Sequence, residues 1–159
     1  MSTLENAIRI AVTAHAGQTD KSGAAYVTHP LRLMTTIDGD EAKMVAVLHD
    51  VVEDTSVALD DLREEGFSED VLTALDCVTH NRSDSYADYV IRCKSHPLAR
   101  QVKLADLVDN SRLDRCILRV NRIERDLTRI HRYVLSYKFL IGELSESDYR
   151  SLMAKHGEL

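Results

Sequence analysis

The sequence contains no apolar run approaching the roughly 18 to 20 consecutive residues that a membrane helix needs, so no segment of it is expected to span a bilayer. Its opening, MSTLENAIRI, has no basic segment leading into an apolar one and does not read as an export signal. Cysteine is scarce. Cys77, Cys93 and Cys116 are odd in number, far apart and free of any CxxC spacing, which argues against a disulfide framework and a zinc knuckle. They are expected to be buried thiols in a reducing compartment, and the expected location is the cytoplasm. Repeats, linkers and low-complexity segments are missing, and no stretch alternates apolar and polar residues between hairpin turns.

What is present describes a globular chain. At 159 residues, 44% hydrophobic and 29% charged, it is long enough to bury one sizeable core, and a single domain over 1–159 is expected. The net charge of −6 argues against a general nucleic-acid binder. That charge is uneven: Arg112 to Lys138 holds eight Arg/Lys against Asp114, Glu124 and Asp126. Two readings stay open for this stretch, a site for a small anionic ligand and a solvated helix face balancing an acidic remainder.

The apolar periodicity is helical nearly throughout, which predicts an all-α bundle. Leu4, Ile8, Ala11, Val12 and His15 repeat at helical spacing, with a capping box expected over Ser2 to Glu5. AGQTDKSGAA breaks the pattern at Ala16 to Ala25, and a helix is expected to start near His29-Pro30. A nearly all-round apolar helix is expected from about Glu41 to Glu53, at the centre of the domain. Two short helices flank Gly66, the second capped by Ser68. A further helix stops before Pro97, another begins there, a long amphipathic one runs to about Leu140, and a last starts at Ser145.

Chemistry concentrates in AVLHDVVEDT, Ala46 to Thr55, where one histidine and three acids close an apolar run. Residues four apart on a helix lie one turn above each other, so Glu53 is expected over His49 and Asp54 over Asp50. In VKLADLVDN, Lys103, Asp106 and Asn110 share a face while Val102, Leu104 and Ala105 surround Asp106. An acid in such a frame is costly unless paired or bound to metal. His29 adds a donor from a third part of the chain. Two imidazoles and two carboxylates suit a borderline-hard divalent ion such as Mn²⁺, with positions left for water and phosphate oxygens. His15, on the apolar face of the first helix, is expected to make a buried hydrogen bond. His80, His96, His131 and His156 have no partner at ligand spacing.

AHAGQTDKSGAAYVTHPLRL, LHDVVEDT and VKLADLVDN together resemble the ordered motifs of HD-domain phosphohydrolases, more narrowly the hydrolase domain of RelA/SpoT-type alarmone enzymes and the small alarmone hydrolases. The resemblance covers roughly residues 5 to 115, with the metal-site motifs within 15–112 and helices of the C-terminal part in 113–159. It implies an HD-type helical bundle and one Mn²⁺ held by His29, His49, Asp50 and Asp106. It also implies removal of the 3′-pyrophosphate from guanosine tetra- or pentaphosphate (ppGpp or pppGpp), giving GDP or GTP. The chain ends at Leu159, so the synthetase domain that follows in full-length enzymes is not expected. Three positions depart from the family pattern. Asp20-Lys21 replaces an Arg-Lys pair, and Leu107 and Asp109 stand where an arginine and a histidine or aromatic are commoner.

Within that frame Glu53 and Asp54 are the expected acid–base pair, against the plainer reading of a polar rim or cap. Lys21 is expected to neutralise phosphate, Asn110 to hydrogen-bond ribose or base, and Tyr26 to pack the base; a solvated lysine, a helix C-cap and a core tyrosine are the plainer readings. The expected partner is a small nucleotide, with no nucleic acid or membrane and with self-association left open. The alternatives are a phosphohydrolase acting on another nucleoside mono- or triphosphate, and a nucleotide-binding module without turnover.

Overall fold

The structure is a computed structural model that describes residues 1–21, 23–113 and 120–156. Cys116 lies outside the described residues, as do Asp114 and other parts of the basic stretch. Helix α1 (Leu4–Ala14) starts at Thr3, whose side chain accepts from the Asn6 N–H. The N-cap is therefore Thr3, one residue later than the capping box expected from Ser2. After it, the chain turns back on itself through an isolated antiparallel bridge between Thr19 and Ala25. The other helices are α2 (Thr28–Thr35), α3 (Asp40–Leu48), α4 (Val51–Asp54), α5 (Leu59–Glu64), α6 (Glu69–Val78), α7 (Tyr86–Ser95), α8 (Pro97–Asn110), α9 (Ile123–Leu140) and α10 (Glu146–His156). No β-strand occurs among the described residues, and no described helix is long and apolar enough to cross a membrane.

Local chemistry sets these boundaries. Ser68 and Ser85 cap α6 and α7 by accepting the Val71 and Asp88 N–H groups. Pro97 opens α8, where its missing N–H costs nothing. Gly66, between α5 and α6, sits at φ +86°, a conformation that disfavours any residue with a Cβ.

One expectation needs correcting. The helix anticipated over Glu41 to Glu53 is interrupted at His49 and Asp50, so it is two helices, α3 and α4. The His49 ring donates from Nδ1 to the Ala46 carbonyl at 2.8 Å, the acceptor an uninterrupted helix would offer to the Asp50 N–H. The interruption swings both side chains toward α2 and α8.

Helix α3 is central as its composition suggested. Ala42, Val45, Ala46, Val47 and Leu48 are all buried, packed among α1, α2, α6 and α8. Cys77 and Cys93 are buried and free, and the Cys93 thiol donates to the Cys77 carbonyl. At the far side Tyr149 of α10 is fully buried, its ring stacked on Phe139 of α9 at 4.5 Å and its hydroxyl 2.9 Å from Ser136 Oγ.

Candidate metal centre

Four side chains from three separate stretches meet at the floor of one cavity of about 530 Å³. His29 comes from the first turn of α2, His49 and Asp50 from the interruption between α3 and α4, and Asp106 from the middle of α8. His29, His49 and Asp50 offer ligand atoms within 4.8 Å of one another. Asp106 Oδ1 lies 3.3 Å from His29 Nε2 and 3.9 Å from His49 Nε2. Asp50 Oδ2 lies 3.1 Å from His49 Nε2 and 3.8 Å from His29 Nε2.

The donor set fits a divalent cation. His49 Nε2 is buried and makes no aligned hydrogen bond, although two carboxylates stand within 4 Å of it. Burial opposes charge on this ring, yet Asp50 and Asp106 together raise its pKa to about 9. The same cationic surroundings overcome burial at Asp50, whose carboxyl falls to about 2, and hold Asp106 far below the usual carboxylate range. Without a metal, protons and Lys103 balance a negative pocket; a 2+ ion does so with coordinate bonds.

A ring of partners orients these groups. Lys103 Nζ donates to Asp106 Oδ2 at 2.8 Å, and the Asn110 amide donates to Oδ1 at 2.5 Å. The face shared by Lys103, Asp106 and Asn110 on α8 is thus realised as a hydrogen-bonded triplet. Tyr26 donates to Asp50 Oδ2 at 2.6 Å and reaches Asp54 Oδ2 at 3.2 Å. Burial and the Asp50 charge push the Tyr26 phenol far up, so it stays a donor. His15 is buried, with Nδ1 2.8 Å from Gln18 Oε1 and its ring 4.9 Å from that of Tyr26, which matches the hydrogen-bonding role expected for it.

Glu53 and Asp54 stand higher on the wall. Glu53 accepts the His80 backbone N–H at 2.9 Å, and burial raises its pKa. Burial and then Asp50 raise that of Asp54. Asp20 and Lys21 line the mouth, and Asp20 Oδ1 accepts the Ala24 N–H at 3.1 Å, tying the turn together.

Other cavity residues were not singled out in the sequence. His80 lines the wall with Tyr86 and Tyr89, whose rings lie 6.3 and 4.9 Å from its own. Arg129 and Tyr133 of α9 also line the cavity. Lys103 Nζ lies 4.8 Å from the Tyr89 ring centre, and the Arg132 guanidinium 4.2 Å from that of Tyr86. Part of the basic stretch therefore faces the cavity. Its i, i+4 spacing of Arg129 and Tyr133 carried that signal, but an amphipathic helix this rich in arginine offers many such pairs.

Fold and site define an all-helical domain of the HD type, with two histidines and two aspartates set to hold a divalent ion. No family model matches the chain. A GTP pyrophosphokinase of Streptomyces antibioticus is 35% identical over 128 residues, 73% of this chain and 15% of that protein. The bifunctional (p)ppGpp synthase/hydrolase SpoT of Escherichia coli K12 is 40% identical over 65 residues, 38% of this chain and 9% of that protein. The chain thus spans a small part of the curated relatives it matches. A solved metazoan ortholog of SpoT, described as hydrolysing ppGpp, superimposes with a TM-score of 0.70 at 23% identity, covering 98% of this chain and 96% of that one. The chain is similar in sequence to part of these proteins and has the fold of the solved SpoT ortholog.

Proposed function

We propose that the protein is a Mn²⁺-dependent phosphohydrolase that removes the 3′-pyrophosphate of guanosine tetra- or pentaphosphate, acting as one HD domain. The observation that carries this reading is the convergence of His29, His49, Asp50 and Asp106 beneath two carboxyls whose pKa values are raised. The names of the relatives supply the substrate class.

His29, His49, Asp50 and Asp106 would hold the ion. When bound, a divalent cation supplies Lewis acidity toward a phosphoryl oxygen and makes a water more acidic. The chain's own residues do the rest. Glu53 and Asp54 accept a proton from the attacking water and return one to the leaving oxygen, which their raised pKa values favour over ordinary surface carboxylates. Tyr26 holds Asp50 and Asp54 in register through one hydroxyl, and its ring borders the space for the base. Lys21 and Arg129 at the cavity wall offset phosphate charge. Asn110 stands where an amide can meet ribose or base while also fixing Asp106.

Asp20 at the mouth favours one second reading, hydrolysis of a nucleotide carrying fewer phosphates, because a carboxylate repels a polyanion. The test is direct. Metal-stripped protein is incubated with guanosine tetraphosphate and a panel of nucleoside mono- and triphosphates, with and without Mn²⁺, and products are resolved by ion-exchange chromatography. GDP and pyrophosphate formed only with Mn²⁺ support the proposal. Turnover confined to another nucleotide supports the second reading, and no turnover at all supports a binding module.

A further inference from the structure

The His29 ring is gripped from both sides by one helix. Its Nε2 lies 3.3 Å from Asp106 Oδ1, and its Nδ1 lies 2.7 Å from Asp109 Oδ2. Asp106 and Asp109 are three residues apart on α8 and so share a face. Asp109 is itself clamped: Arg32 donates from Nε to Oδ1 at 3.1 Å and from Nη2 to Oδ2 at 3.2 Å. Arg32 stands three residues after His29 on α2 and also donates to Thr28 Oγ1 at 3.1 Å. Two helices are thereby interlocked through two i, i+3 pairs, with Asp109 only 6% exposed.

The hydrogen inventory fixes the direction of the short contact. Both oxygens of Asp109 already accept from Arg32, so the carboxylate has acceptor capacity and no hydroxyl to give. The His29 Nδ1 must therefore carry the hydrogen. In a neutral imidazole that leaves the lone pair on Nε2, the atom facing Asp50 and Asp106. Free neutral histidine has no such constraint, and an unsupported ring can present an N–H to the ion instead.

We propose that Asp109, held by Arg32, is a positioning residue that fixes the tautomer and tilt of His29 so that its Nε2 is pre-formed as a metal ligand. The pairing sets a carboxylate behind a histidine whose other ring nitrogen faces the candidate metal centre. It rests on the metal-site reading above. Loss of such an outer partner weakens metal binding by roughly 10- to 100-fold in other sites.

The test uses the full chain, stripped of metal, and reads Mn²⁺ binding by calorimetric titration alongside far-ultraviolet helicity. Asp109→Ala should weaken Mn²⁺ binding by roughly 10- to 100-fold. Asp109→Asn keeps an acceptor oxygen for Nδ1–H and should recover part of that loss, whereas Asp109→Leu, which fills the space without an acceptor, should not; recovery by both would mark a merely space-filling role. Arg32→Gln should fall between Asp109→Ala and the parent. Nitrogen-15 spectra of the parent's histidines give an independent readout that needs no metal, with the His29 hydrogen expected on Nδ1. Asp109→Ala folded and binding Mn²⁺ like the parent, or a neutral His29 carrying its hydrogen on Nε2, overturns the proposal. Failure of the parent itself to bind any divalent ion overturns the metal-site reading instead. If Asp109→Ala does not fold, the Arg32→Gln and Asp109→Asn titrations and the parent spectrum decide.

Discussion

At the scale of single residues, Asp50 is the most heavily committed side chain. It receives the Tyr26 hydroxyl, stands 3.1 Å from His49 and carries a carboxyl held near 2 by the imidazoles despite its burial. Asp50→Ala should abolish both retention of Mn²⁺ and turnover, read by metal analysis after dialysis; a variant that keeps its metal removes Asp50 from the ligand set. Glu53→Gln and Asp54→Asn conserve size and most hydrogen bonding while removing the exchangeable charge. Each should lower turnover by roughly 10²- to 10⁴-fold with metal content little changed, and unchanged turnover in either would remove that residue from the proton transfers. The convergence of His29, His49, Asp50 and Asp106 was legible because an acid in an apolar frame and a His-Asp pair closing an apolar helix have few bland explanations. His80 was not, because it enters the cavity wall through its backbone N–H and its ring neighbours, neither of which leaves a spacing pattern. Asp109 was visible only as a departure, since its meaning depends on α2 crossing α8.

At the scale of elements, helix starts were legible where a capping side chain or proline declares them, as at Ser68, Ser85 and Pro97. The interruption at His49-Asp50 was not. Apolar periodicity continues through it, and only the side-chain bond to the Ala46 carbonyl reveals the competition with the backbone. The turn between Thr19 and Ala25 gives the sharpest test at this scale. Asp20 there both stitches the turn through the Ala24 N–H and places a negative charge at the mouth. Two unit charges ~6 Å apart interact by ~3 kcal/mol at an effective dielectric of ~20, and by less where water enters. Asp20→Asn keeps an acceptor for the turn and removes the charge, so the Michaelis constant for guanosine tetraphosphate should fall several-fold with turnover little changed. Steady-state kinetics with the two variants Asp20→Asn and Asp20→Arg checks it, the arginine form lowering the constant further. A raised constant in both would make Asp20 a contact for the substrate.

At the scale of the whole molecule, buried thiols and phenols couple stability to alkaline pH, Cys93 and Tyr86 among them. Burial raises the Cys93 thiol from 9.0 to about 12 and the Tyr86 phenol from 10.0 to about 12. Between the ordinary and the raised values the folded chain holds more protons than the unfolded one, so stability falls as pH rises, by roughly 1.4 kcal/mol per pH unit for each group once its ordinary pKa is passed. Urea midpoints of the metal-free protein should begin to fall as the pH rises past 6.5, the ordinary value for His49, and fall more steeply above 9.0, with a shallower alkaline decline in Cys93→Ala. Mn²⁺ should raise the midpoint in proportion to the logarithm of its concentration, since an ion that binds only the folded chain stabilises it by mass action. The remaining long-range feature is α10. Through Tyr149 it fastens α9 by the stacked Phe139 ring and the Ser136 hydroxyl, and α9 in turn carries Arg129 and Tyr133 to the cavity. The last helix therefore acts as a latch remote from the chemistry. Amide hydrogens along α9 should exchange with solvent no faster than α10 detaches, and a protease that nicks the link near Gly142 should release the arginine wall while leaving the four ligands on α2, α3–α4 and α8 assembled.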